Sequence, residues 1–361
     1  MIGQQLKKII SNSFIGKIYK NYRKQYRKKC ADDQKIDRFL QLHNIQNGKI
    51  KKDIYDSIEK YHISIEEYFQ FGFISLSQEE RKNFVPESKR NSYCDTLNKI
   101  ENRETFINKF QTFQKFKEFY HRDVFGINSP VDFTDEELLT KFFDDFNAFI
   151  QQHHEFITKP LRRSMGEGIT FRTVDKPDDV DGVKDLLKSL KAEFPRGFVL
   201  EEKICQVPEM AKLHPKSVNT LRMTTIRLDD RIVVFHPVLR IGRGDSIVDN
   251  AGAGGIIASL DNNGKIKAAG DEMGFSYTRL DDMGMELIGW QVPCWQEAVD
   301  LVKQLAMVVP SNRYAGWDIA LTDKGWCMVE GNSRGQFIWQ IADHAGCKDE
   351  IDRIMAELKK S

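Results

Sequence analysis

The hydrophobic rhythm of this chain changes near residue 149. Before it, apolar positions recur at helical steps. Ile54, Ile58, Tyr61 and Ile65 form a short stripe within a charged stretch, 31–95, that is broken at Phe71-Gly72-Phe73 and at Val85-Pro86. Phe106, Phe110, Phe113, Phe116 and Phe119 follow at steps of three and four, which predicts one long helix over 96–126 with an aromatic core stripe. Lys109 and Arg122 lie beside that stripe. After a Ser129-Pro130 loop, Thr134-Asp135-Glu136-Glu137 opens another helix with acids in its first turn. Beyond Phe149 the pattern becomes extended and glycine-rich. Strands are predicted at 155–160, 198–200, 218–228, 231–241 and 256–268, the last a hairpin around the turn DNNG. Helices are predicted at 178–190, 295–307 and 337–344, with a terminal amphipathic helix. This order predicts an α+β protein, a helical region followed by mixed strands and helices.

The stretch with the clearest chemistry is YAGWDIALTDKGWCMVEGNSRG, 314–335. It predicts a hairpin with Asp318 on the first strand and Glu330 on the second. A three-residue loop of Asp323, Lys324 and Gly325, ending in a left-handed glycine, sets Thr322 opposite Trp326. Counting outward then places Asp318 opposite Glu330, and strand alternation puts Asn332 on the same face. Two carboxylates and an amide oxygen on one face are hard ligands, suited to Mg²⁺ with nucleotide phosphates. The plainer reading is a solvated hairpin with one acid on each strand.

Two glycine clusters accompany this hairpin. Ser164, Gly166 and Gly168 follow a strand that ends in Lys159-Pro160, and Asn250 opens the run Asn-Ala-Gly-Ala-Gly-Gly. Glycines let backbone N–H groups approach phosphate, and a neighbouring lysine adds a point charge. Neither cluster is a GxxxxGK[ST] loop, and no helix follows the first as a dinucleotide fingerprint requires.

Composition narrows the class without naming it. The 361 residues carry 54 basic and 53 acidic side chains, so net charge supplies no argument for nucleic acid. No apolar run approaches the roughly 20 residues needed to span a bilayer. Lys7, Lys8 and Lys17 interrupt any signal-peptide core, and the six scattered cysteines suggest reduced thiols. A cytoplasmic protein is therefore expected. Residues 1–30 hold nine Lys or Arg and no acid. A basic amphipathic helix of this kind fits the inner face of an anionic membrane. It also fits a solvated helix packed on its own protein, or a partner-binding arm.

The sequence of strand, Lys-Pro, glycine loop, strand, helix, strand, Glu-Glu, Pro-Glu, Asn/Arg strands and Asp…Glu-x-Asn resembles the ATP-grasp superfamily. Within it, the chain is similar to the sugar-transfer-associated group, which is related to teichuronopeptide biosynthesis enzymes. The resemblance covers residues 95–345 and rests on FITKP at 156–160, EEKICQVPE at 201–209, SVNTLRMTT at 217–225, VDNAGAGG at 248–255 and GWDIAL…MVEGN at 316–332. It implies an ATP-grasp fold, two α+β lobes sandwiching ATP. The implied division is a helical region at 1–95, a preceding segment at 96–158, a small lobe at 159–204 and a large lobe at 205–361. Lys159 and Lys109 are implied phosphate lysines, and Ser164, Gly166 and Gly168 the flexible phosphate cover. Glu202, Lys203 and Ile204 match the adenine hinge, Glu209 the ribose carboxylate, and Glu201 and Asn250 further nucleotide contacts. Asp318, Glu330 and Asn332 match the Mg²⁺ ligands. Arg222 and Arg240, with Lys159, are implied to face the reacting groups.

The chemistry implied is formation of an acylphosphate from ATP and a carboxylate, followed by displacement by an amine. The expected substrates are a sugar-linked or small carboxylate and an amine, in capsule or other cell-surface polysaccharide synthesis. Contact with glycosyltransferase machinery through the basic N-terminus belongs to the same picture. Two alternatives stand beside it. One is a phosphotransferase acting on a hydroxyl, and the other is a non-catalytic nucleotide-binding protein.

Overall fold

The computed structural model describes residues 14–46, 48–128, 136–162 and 167–358. The N-terminal part is helical, as the stripes predict. A 29-residue helix, Phe14–Leu42, leads into helices Lys49–Tyr61, Ile65–Gln70, Gln78–Lys82 and Glu87–Leu97. Two of the short helices start with reciprocal caps, Ser64 with Glu67 and Ser77 with Glu80, which satisfy otherwise orphaned N–H groups. The apolar faces do not form a core of their own. Ile36, Phe39, Tyr68 and Phe73 pack in one cluster with Phe337, Trp339 and Ile351 near the other end of the chain, and with Ile226 and Val238 of the larger sheet.

The smaller sheet contains β1 (Val124–Ile127), β2 (Glu155–Pro160), β3 (Thr170–Thr173) and β4 (Phe198–Glu202), in the order β1-β4-β2-β3. All its pairings are antiparallel. Strand alternation divides its faces. Phe125, Phe156, Phe198 and Leu200 form a core with helices Glu136–Gln152 and Val180–Glu193. Val199 and Glu201 of β4 fall on the opposite face.

Here one expectation is corrected. The segment 96–126 is not one helix. It comprises short helical pieces, Arg103–Ile107 and Lys109–Phe116 among them, and then strand β1. Asn108 makes the break, because its side chain caps the N–H groups of Phe110 and Gln111 and starts a new helix. The phenylalanine stripe still serves as core: Phe106 and Phe116 are buried against Trp317.

The larger sheet has β5 (Thr220–Arg227), β6 (Ile232–Ile241), β7 (Ile256–Leu260) and β8 (Ile266–Gly270). A short ribbon pairs β9 (Arg279–Leu280) with β10 (Met285–Glu286). The hairpin strands β11 (Tyr314–Thr322) and β12 (Gly325–Asn332) complete the larger sheet. Its order is β12-β11-β5-β6-β7-β8, antiparallel throughout. Helix Trp295–Val308 covers one face, where Leu221, Met223, Trp317 and Ile319 are buried. The other face is covered by the terminal helices at one end and carries the polar cluster described below at the other.

The hairpin keeps the predicted pairing of Asp318 with Glu330, but by a different route. The turn is tighter than expected, with Thr322 paired to Gly325 and Leu321 to Trp326. That register continues to Ile319 and Met328, and a bulge then intervenes before Asp318 pairs with Glu330. Val329 is the extra residue. Without the bulge, Asp318 would meet Val329, and Glu330 would turn into the Trp317 face.

Candidate active site

Cross-strand pairing assembles the first part of the site. Arg222 lies directly opposite Asp318 in the β5–β11 ladder, and Arg240 directly opposite Thr220 in the β5–β6 ladder. The Asp318 carboxylate accepts from Arg222 through both oxygens, Nη2 to Oδ2 at 2.8 Å, and Arg240 Nη2 reaches Oδ2 at 3.0 Å. Thr220 completes the arrangement. Its hydroxyl accepts from Arg240 Nε and Nη2 at 3.1 and 2.8 Å and donates to Asp249 Oδ2 at 2.5 Å. Asp318, Arg222 and Asp249 are buried. Burial alone would raise the Asp318 carboxyl, but Arg222 and then Arg240 more than reverse this and hold it below its ordinary value. Asp249 goes the other way, raised by burial against the opposing pull of Arg240.

A second group forms where the smaller sheet meets the hairpin. Lys159 Nζ sits 2.9 Å from Glu201 Oε2, and Arg122 donates to the same oxygen from Nε and Nη2 at 2.9 and 2.6 Å. Burial pushes the Glu201 carboxyl up, while Arg122 and Lys159 together bring it down to about 2. Lys109, on the helix that starts at Asn108, joins this group. Its backbone N–H bonds Leu161 O at 3.0 Å. Burial lowers its ammonium, Glu330 raises it, Lys159 lowers it further and Glu201 raises it. Lys109, Lys159, Glu201 and Glu330 thus share one electrostatic environment. Glu330 also acts on Arg222, which links the two groups.

The remaining predicted positions are more dispersed. Glu201, expected among the nucleotide contacts, turns its side chain to Lys159 and Arg122. Glu202 accepts from the Asp123 N–H at 3.0 Å and lies 3.6 Å from Lys324 at the hairpin tip. Lys203 and Ile204 leave the strand ladder, and the chain rejoins the larger sheet at Gln206, bridged to Thr322. Lys203 pairs with Glu155 at 3.3 Å. Glu209 is exposed on the helical turn Pro208–Ala211, and no contact joins it to either group. Asn250 precedes the turn Ala251–Ala253, and its carbonyl accepts from the N–H groups of Ala253 and Gly255. Gly168 takes φ 75°. Ser164 and Gly166 lie outside the described residues. Arg122, Thr220 and Asp249 were not singled out as site residues in sequence.

The donor set accommodates Mg²⁺. Among the described residues, Glu330 and Asn332 make no side-chain hydrogen bond or ion pair, so their oxygens are open. Asp318 Oδ1 accepts one hydrogen bond and keeps a lone pair. These are hard oxygen donors beside two arginines and two lysines. Such a set favours a small cation that arrives with anionic phosphate over one enclosed in an all-protein cage. Among the described residues, no helix is long and apolar enough to cross a membrane.

Comparison with known proteins adds a family match. A model of the family described as "Sugar-transfer associated ATP-grasp" matches residues 88–356. No curated protein matches this chain. Among solved structures, D-alanyl-alanine synthetase A from Vibrio cholerae is 10% identical, covering 71% of this chain and 66% of its own, with a TM-score of 0.40. D-alanine–D-alanine ligase from Helicobacter pylori is 13% identical, covering 73% and 63%, with a TM-score of 0.42. L-amino acid ligase from Bacillus licheniformis is 9% identical, covering 65% and 42%, with a TM-score of 0.36. The chain thus spans less than two thirds of the length of each of these proteins.

Proposed function

The chain belongs to the sugar-transfer associated ATP-grasp family, and from that premise we propose that it is an ATP-dependent carboxylate–amine ligase. In the first step an oxygen of the acceptor carboxylate attacks the γ-phosphorus of ATP, the bond to the β,γ-bridging oxygen breaks, and ADP leaves. In the second, an amine attacks the acyl carbon, the acyl C–O bond breaks, phosphate leaves, and the amine's proton passes to solvent. Both steps need positioning and charge neutralisation rather than a covalent catalyst. Asp318, Glu330 and Asn332 would hold Mg²⁺, which neutralises phosphate charge when bound. Lys159 and Lys109 hold the phosphates from the smaller sheet's side. Arg240 and Arg222 face the transferred phosphoryl group or the acceptor carboxylate. The backbone of Lys203 and Ile204, free of the strand ladder, meets the adenine, and Glu209 the ribose. The working lobes are those built on the smaller and larger sheets; a small lobe of 159–204 would cut β2 and omit β1, so the 96–158 segment supplies part of that lobe, and 1–95 supports the larger one.

The observation that carries this reading is Asp318, held by two arginines, directly opposite the open carboxylate of Glu330, with Asn332 on the same face and Lys109 within electrostatic reach of Glu330. Four cations beside open hard oxygens suit a triphosphate with a divalent ion. The family's association with sugar transfer suggests a sugar acid as the carboxylate and cell-surface polysaccharide as the destination. The test is ATP turnover to ADP and phosphate with panels of uronic acids and amines, with hydroxylamine as a trap. Amide product, and a hydroxamate in its place when hydroxylamine is present, are expected. ATP binding without amide product across the panel would overturn the ligase reading. A phosphorylated acceptor that resists hydroxylamine would identify a phosphotransferase instead.

A further inference from the structure

Arg122 stands between the two halves of the site. It follows the helical turn Lys117–Phe119 and immediately precedes β1, where the chain enters the smaller sheet. Its side chain is only 3% exposed and stacks on the Tyr120 ring with 4.3 Å to the centroid. Besides its two bonds to Glu201, it donates from Nη1 to Met328 O at 2.6 Å and to Tyr120 O at 3.2 Å, and from Nη2 to Val329 O at 3.5 Å. The five donors of a guanidinium match these five contacts.

The two carbonyls identify the role. Val329 is the bulge residue, and Met328 pairs just before it. A bulge interrupts the ladder, and buried carbonyls beside it need donors from elsewhere. Arg122 supplies them. Through the bulge it sets which face Glu330 and Asn332 present, and through Glu201 it sets the charge environment of Lys159. A lysine has a compact head that cannot span a carboxylate and two carbonyls at once.

We propose that Arg122 is a positioning residue that couples the phosphate lysine, Lys159, to the presentation of the Glu330 and Asn332 oxygens. This rests on the Mg²⁺–nucleotide reading of the site. With Arg122→Lys, the charge facing Glu201 remains but the bulge loses its donors. With Arg122→Met, both ends are released.

The experiment measures equilibrium binding of a fluorescent ATP analogue while Mg²⁺ is titrated, for the wild type, Arg122→Lys and Arg122→Met, each well below its own melting temperature. The Mg²⁺ midpoint is expected to rise about ten- to a hundredfold in Arg122→Met, the usual cost of losing a group that orients metal ligands. Arg122→Lys is expected to show the same midpoint shift while binding nucleotide in EDTA as the wild type does. Ethylguanidinium should partly restore the midpoint in Arg122→Ala. Variants with lower melting temperatures but a wild-type midpoint would make Arg122 merely structural and overturn the proposal. If Arg122→Met does not fold, Arg122→Lys alone decides. A wild type that binds no nucleotide would instead overturn the ATP reading.

Discussion

Replacing Glu201 by Gln removes the negative charge that Lys159 and Arg122 share, with little change of shape. The carboxyl falls from its ordinary 4.5 to about 2 on folding. At about 1.36 kcal/mol per pH unit, that difference stabilises the fold by about 3 kcal/mol at pH 7. Loss of one partner from a buried ion pair costs a similar roughly 3–5 kcal/mol. Because the folded value is depressed, the contribution is fully present above pH 4.5 and is lost as pH falls through the folded value. At pH 3 the unfolded carboxyl is protonated while most of the folded one is not, so less than half of that contribution remains. Guanidinium denaturation of the wild type and Glu201→Gln at pH 7 and pH 3 checks both figures. The stability gap should halve, or more, between the two pH values. A gap under about 1 kcal/mol at pH 7, or one that does not change with pH, would refute the argument that Glu201 is held ionised by its two cations.

Three other outcomes follow from the same geometry. Asp318→Asn leaves the buried Arg222 beside a neutral amide and should destabilise by about 3–5 kcal/mol; adding Arg222→Met should recover part of that loss in denaturant titrations. Glu330→Gln should change stability by no more than about 1 kcal/mol, because it loses no described hydrogen bond or ion pair, only its charge near Lys109 and Arg222. It should nonetheless abolish Mg²⁺-dependent nucleotide binding, measured by calorimetry. A Cβ at Gly126 would sit 2.4 Å from the Phe110 ring, so Gly126→Ala should lower stability by about 1–3 kcal/mol, visible as a shift in thermal melting.

The sequence carried the facing of Asp318 and Glu330 but not its cause. The turn was expected one residue wider than it is, and the bulge at Val329 makes up the difference, so the same pair results. No local pattern announces that bulge, because the donor that satisfies it comes from Arg122, about 200 residues earlier. Thr220 and Asp249 escaped notice for a similar reason. Their importance lies in the hydrogen bonds Arg240 needs, and those depend on how β5, β6 and the following loop are stacked. The break at Asn108 was different. Asparagine is a strong capping residue, and the signal was present but was overridden by the regular spacing of the phenylalanines on either side. The strands, and the shared face of Asp318, Glu330 and Asn332, were legible because period-two alternation is local. The charge network was not, because its two buried arginine–carboxylate pairs, Arg122–Glu201 and Arg222–Asp318, join residues 79 and 96 apart in sequence.

The core that joins the first helices to the last also sets an order of events during synthesis. Gln340 exchanges hydrogen bonds with the backbone of Val85 at 2.9 Å in both directions, and the Lys348 N–H reaches Asn83 O at 2.7 Å. Roughly 240 residues separate Leu97 from Phe337, which share this core. At about 5–20 residues per second, the ribosome needs on the order of ten to fifty seconds to cover that distance. Throughout that interval Phe39, Tyr68 and Phe73 have one another's neighbourhood, with Phe69 and Phe84, but not Phe337, Trp339 and Ile351, which complete the cluster in the finished molecule. The first helices can pack on one another as they emerge, but their shared core is closed only when the C-terminal helices arrive.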